Sequence, residues 1–172
     1  LIIGGGPAGL AAALVAGRAG LDVILADEDF LIGGRLNQES FSLDDQAGSV
    51  FAASCYEELT SLPNVRIMTR TTVIGAFDHG IYGMVERVAD HLKVPADGQP
   101  RQRLWRVYSQ FALLCAGATE RSIAFENNDR PGIMLAGAMR AYANRWATAV
   151  GDRIAIFANN DDAHRTAHDL HQ

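Results

Sequence analysis

Near its start the chain reads Leu1-Ile-Ile-Gly4-Gly5-Gly6-Pro7-Ala8-Gly9-Leu10. A short apolar strand runs straight into a Gly-x-Gly-x-x-Gly turn and then into a helix of small residues. The glycines of such a unit have separate tasks. Gly4 permits the tight turn, Gly6 lets the backbone approach a pyrophosphate, and Gly9 lets helix and strand pack closely. Pro7 and Ala8 open the helix, whose first N–H groups and positive dipole end point at the phosphates.

The neighbouring residues carry the same plan. Residues 10–19 predict a helix that Gly20 ends, and residues 21–26 predict a second strand. Asp27 closes that strand, 18 residues after Gly9. An acid there accepts both hydroxyls of an adenosine ribose and repels a 2′-phosphate, which disfavours NADP. Glu28 and Asp29 could share the role, but strand geometry favours Asp27. The expected fold class is α/β: a Rossmann-like FAD/NAD(P)-binding domain.

At 172 residues the chain can bury one sizeable core. Its 48% hydrophobic and 20% charged content is that of a soluble globular domain. A net charge of −5 argues against a nucleic-acid partner. The apolar first 25 residues lack a basic leader region and are interrupted by Gly4, Gly5, Gly6, Pro7 and Gly9, so no membrane segment is read and a cytoplasmic location is expected. Cys55 and Cys115 lie 60 positions apart with no Cys-x-x-Cys, so both are expected to be small buried residues rather than a redox pair. There is no initiator methionine, and the chain reads as a segment of a longer polypeptide.

Further along, Gly33-Gly34-Arg35 is similar to the paired glycines that flavoproteins place near the dinucleotide. Arg35 either offsets pyrophosphate charge or is a solvated arginine. Residues 45–61 place Val50, Phe51, Cys55 and Leu59 at helical spacing. Residues 65–68 and 71–75 predict strands, with the backbone at Val73 facing the adenine edge. Residues 75–110 predict a β-meander inserted between Rossmann strands. Phe111-Ala-Leu-Leu-Cys115 predicts a strand buried on both faces, and the small Ala116-Gly117-Ala118 passes beneath the nucleotide. Residues 137–148 predict a helix, 153–158 a strand and 161 onward another helix. This second βα start lacks the glycines, and its Asn159-Asn160-Asp161-Asp162 would repel a pyrophosphate. The organisation expected is a first domain over 1–135, followed over 136–172 by a linker helix and the start of a degenerate second nucleotide-binding domain. His164, His168 and His171 share a helix face, read as solvated rather than as a metal site. No catalytic constellation is found.

Taken together, these stretches resemble the α subunit of heterotetrameric sarcosine oxidase. The similarity is most specific at Gly75-Ala-Phe-Asp-His-Gly-Ile-Tyr-Gly-Met-Val-Glu-Arg, at Ala116-Gly-Ala-Thr-Glu-Arg with Asn128-Asp-Arg-Pro-Gly-Ile-Met, and at Ile154-Ala-Ile-Phe-Ala-Asn-Asn-Asp-Asp. The resemblance implies a complex that oxidises sarcosine to glycine, passes the one-carbon unit to tetrahydrofolate and hands electrons through flavins to oxygen. It implies partner subunits, FAD and FMN elsewhere in the complex, and NAD at Gly4, Gly6, Gly9 and Asp27, with FAD the alternative there. Sarcosine and folate would bind outside this segment, which alone would be inactive. Related opine oxidase and hydrogen cyanide synthase subunits look similar. A self-sufficient FAD/NAD(P)-dependent oxidoreductase is the other class, disfavoured by the missing second glycine turn.

Overall fold

The computed structural model describes residues 1–40, 42–43 and 45–171. In chain order the elements are β1 (Ile2–Ile3), α1 (Pro7–Arg18), β2 (Val23–Ala26), a helical turn (Gly34–Asn37), β3 (Ser42–Leu43), β4 (Gln46–Ala47), α2 (Gly48–Ser61), β5 (Val65–Met68), β6 (Thr71–Phe77), β7 (Ile81–Arg87), β8 (Gln102–Tyr108), β9 (Leu113–Leu114), α3 (Ala136–Arg140) and α4 (Asp162–His171). They fall into two compact units, residues 1–34 with 52–117, and residues 35–51 with 118–172. The first unit ends at Gly117, ahead of the expected boundary at residue 135, and the second takes in 35–51.

The first unit holds a parallel sheet in the order β5-β2-β1-β9. Its helix α1 turns a stripe of small residues inward, Gly9, Ala13 and Gly17, with Leu10 beside them. A Cβ on Gly17 would sit 2.8 Å from Val65 and 2.9 Å from Leu62, so this close approach of helix and sheet depends on the absence of a side chain. The expected meander is present as the antiparallel sheet β6-β7-β8, with a bulge between Val73 and Gly75. It packs on the parallel sheet through Ala26, Met68, Met84 and Val107. Within α2 the inward residues are Ala52, Cys55 and Leu59, whereas Val50 is exposed. That helix begins at Gly48, because Gln46–Ala47 pair with Ser42–Leu43 as a hairpin instead.

Two sequence expectations are corrected here. The apolar run 111–115 is not buried on both faces. Only Leu113–Leu114 form a strand, at the edge of the sheet, and Phe111 and Leu114 are 80% and 79% exposed. An edge strand has one neighbour, and here it is the two-residue β1. The strand expected over 153–158 is not formed, although α4 behind it is. Extended backbone becomes a strand only when its N–H and C=O groups find a ladder. None of the described residues forms a ladder with 153–158.

The second unit is organised around charge. Arg140 on α3 is 1% exposed and pairs with Asp162, the first residue of α4, at 2.5 Å, and more distantly with Glu39 at 3.8 Å. Arg35 pairs with the same two carboxylates. Two guanidinium and two carboxylate groups thus alternate, which is how a buried charge is kept tolerable.

Candidate dinucleotide-binding site

The site lies where β1 gives way to α1. Gly4 donates to the Ala26 carbonyl at 2.8 Å, which carries the β1–β2 ladder one residue further before the chain turns. Its φ of +105° is a conformation only glycine adopts without strain. A Cβ on Gly9 would overlap the Gly4 carbonyl oxygen, so Gly9 is the packing glycine. Gly6 differs from both. A Cβ there would meet nothing within 4 Å. The protein itself does not require a glycine at Gly6, and the open space beside it is what a pyrophosphate would fill.

Helix α1 starts at Pro7 with no acidic residue in its first turn. Leu10 is the first residue to donate along the helix, to Gly6 at 2.9 Å. The N–H groups of Ala8 and Gly9 therefore lie ahead of the helical ladder and face outward with the dipole. Pro7 has no N–H to satisfy, and Pro7 and Ala8 are exposed.

Asp27 follows β2, half-buried. Its Oδ2 accepts the Gly5 N–H at 2.5 Å and its Oδ1 accepts the Asp29 N–H at 2.7 Å. These bonds fix the carboxylate beside the glycine turn, and each oxygen keeps a further lone pair for a ribose hydroxyl. Sequence reasoning missed Gly5 as the residue that orients Asp27. The signal was the unbroken Gly4-Gly5-Gly6 run, since a Cβ on Gly5 would press on Oδ2 of Asp27 at 3.1 Å. Glu28 is exposed, and its carbonyl accepts from Arg87.

The Gly33–Gly34 pair also returns to this turn. Gly33 donates to the Gly5 carbonyl at 2.7 Å, and a Cβ on Gly34 would sit 3.1 Å from the Gly6 Cα. Arg35 is exposed, and its guanidinium pairs with Glu39 and Asp162. Val73 sits on β6 with its side chain packed on the core cluster. Ala116 and Gly117 follow β9 and are exposed, with Gly117 at φ +71° and open space around it. The structure thus brings Gly4, Gly6, Gly9, Asp27 and Gly34 to one place.

Burial pushes the Cys55 thiol up, with the Glu58 charge adding to it. Cys115 is half-buried, and both thiols are free. Among the described residues no group of three His, Cys, Asp or Glu could hold a metal ion, and no helix is long and apolar enough to cross a membrane.

A parallel sheet with a glycine turn at its first βα junction defines the class: a Rossmann-like α/β fold. A family model described as FAD dependent oxidoreductase matches residues 1–50. The chain is related over essentially its whole length to the α subunit of sarcosine oxidase. It is 50% identical over 170 residues to sarcosine oxidase subunit alpha of Rhizobium meliloti (strain 1021), a match covering 99% of this chain and 17% of that protein. The same subunit of Corynebacterium sp. (strain P-1) is 40% identical over 172 residues, covering 99% and 18%. The chain therefore spans less than a fifth of the length of these relatives. Among solved structures, L-proline dehydrogenase from P. horikoshii superposes with a TM-score of 0.80 at 26% identity, over 99% of this chain and 32% of that one. Thioredoxin reductase of Lactococcus lactis, with a TM-score of 0.52 at 19% identity over 74% of this chain and 38% of that one, shares the fold.

Proposed function

We propose that this chain is the dinucleotide-binding segment of the α subunit of a multisubunit oxidoreductase of the sarcosine oxidase type. The observation that carries the reading is the pairing of an open Gly6 cradle at a helix N-terminus with an Asp27 carboxylate held in place by Gly5. In this reading the pyrophosphate lies on Gly6 and the N–H groups of Ala8 and Gly9, and the ribose lies on Asp27. Gly34, Val73, Ala116 and Gly117 line the ligand's path by backbone, and Pro7 opens the helix with a fixed φ and no N–H of its own to satisfy. Arg35 takes part only by leaving its carboxylate partners.

What these residues read is the ADP half, which FAD and NAD share. The family model's description favours FAD. The resemblance to sarcosine oxidase favours NAD here, with FAD and FMN elsewhere in the complex. The whole protein would work in the cytoplasm with partner subunits, oxidising sarcosine and passing its one-carbon unit to tetrahydrofolate. This segment contributes cofactor holding and no acid–base group. The experiment is to denature the intact protein and identify the released nucleotide by absorption and mass. Release of FAD or NAD supports the reading and decides between them. An intact protein that releases no adenine dinucleotide, and binds none when one is added, overturns it.

A further inference from the structure

The strand order β5-β2-β1-β9 gives a dinucleotide on this sheet a direction. With its pyrophosphate at the β1–α1 turn and its ribose at the end of β2, the ligand runs from β1 toward β5. The adenine, joined to that ribose, falls over the next strand ends. These are residues 28–30 after β2 and the Thr69–Arg70 turn after β5. The two are tied together, since Thr71 donates to the Asp27 carbonyl and Arg70 to the Asp29 carbonyl, each at 2.8 Å.

Two features of this place are not required by the fold. Arg70 has a φ of +53°, where glycine is the comfortable residue and a long side chain is rare. Its guanidinium lies 5.2 Å from the centroid of the Phe30 ring, which is 46% exposed. A guanidinium is planar and has two faces, and it stacks on aromatic rings. We propose that Arg70, backed by Phe30, is the adenine wall of this site: one face of the guanidinium rests on Phe30 and the other takes the purine. Every base offers a π-face, so the contact favours a nucleotide over a bare phosphate without reading the base edge. The inference rests on the dinucleotide reading above.

The test uses the intact protein stripped of nucleotide, titrated with ADP and, separately, with inorganic pyrophosphate. Arg70→Gly should weaken ADP binding by roughly tenfold. It should leave pyrophosphate binding unchanged and the Tm unchanged or raised, because glycine relieves the left-handed backbone. Arg70→Lys should recover only part of the ADP affinity, since an ammonium has no plane to stack. Wild-type ADP affinity in Arg70→Gly overturns the proposal. So does an equal loss for pyrophosphate, which would make Arg70 a plain charge, or a loss that merely follows a lowered Tm. Failure of the wild-type protein to bind ADP overturns the dinucleotide reading itself.

Discussion

The stretches 1–18 and 153–171 share a plan: an apolar run, a turn and a helix. In the first, Ile2–Ile3 are only two residues long, yet they pair with β2 on one side and β9 on the other, and Ile2 is 3% exposed. In the second, Ile154-Ala-Ile-Phe157 is equally apolar, but it forms no ladder with any described residue, and Phe157 is 70% exposed. Apolar β-branched composition is thus not what makes a strand; a hydrogen-bonding neighbour is. The two helix starts differ in the same instructive way. Helix α1 carries no acid in its first turn and keeps its positive end open. Helix α4 begins with Asp162, so its own carboxylate takes that place, and Arg140 and Arg35 neutralise it in turn. In the proposed reading the first terminus takes an anion from outside, whereas the second has an acidic residue of its own in its first turn.

The contrast breaks most visibly at the packing residues of the first stretch. Gly9→Val should destabilise the first unit by about 3 kcal/mol or more, because its Cβ overlaps the Gly4 carbonyl and backbone cannot yield cheaply. Urea unfolding of the intact protein measures it, and a cost below about 1 kcal/mol would show that α1 can slide away from the turn. Gly6→Val should do the opposite. The circular dichroism spectrum stays that of the folded protein while stoichiometric nucleotide is lost, because only the ligand's space is filled. Retained nucleotide would move the pyrophosphate elsewhere.

Asp27→Ala should weaken dinucleotide binding by about 1–3 kcal/mol, the value of charge-assisted hydrogen bonds to a ribose. An unchanged titration would assign Asp27 to the Gly5 and Asp29 amides alone.

The second terminus is sharpened by pH. Burial works to raise the Asp162 carboxyl, but the hydrogen bond and charge of Arg140, with Arg35 behind them, outweigh it and hold the carboxyl below its usual value. A carboxyl lowered in the folded state contributes stability that is present above its unfolded value of about 4 and is lost as pH falls through the folded one. Amide exchange should therefore show α4 losing protection in acid ahead of α1, and Asp162→Asn should remove that step. A pH profile shared by the two helices would erase the distinction.

The smallest effect is expected in the unpaired run. Phe157→Ser should cost under about 1 kcal/mol, as exposed positions do. Leu25→Ala, at a fully buried position of β2, should cost about 2–5 kcal/mol. A core-like cost at Phe157 would mean that this run is covered in the intact protein.

How much of this is legible in the sequence differs by residue. The glycine turn, the acid at Asp27, α1, β2 and the meander follow from spacing, because each depends on contacts close in sequence or on a period of two or 3.6. The strand ahead of Ala116-Gly117 is legible in the same way, yet the exposure of Phe111, Leu113 and Leu114 is not, since burial depends on what lies across the sheet. Three facts have no sequence signal strong enough to find them. Arg140 is buried, Arg35 is turned to Glu39 and Asp162, and Arg70 stands in a left-handed turn against Phe30.

By itself the sequence determined the class of fold and the kind of ligand proposed for it, because a missing Cβ at Gly4, Gly6 and Gly9 and a carboxylate at Asp27 fall within one βαβ unit. Only the tertiary structure decided which apolar runs became strands and which charges were spent on one another. Ladder partners and ion pairs join residues more than a hundred positions apart, as Arg35 joins Asp162. No local pattern records which of several arginines a distant aspartate will meet.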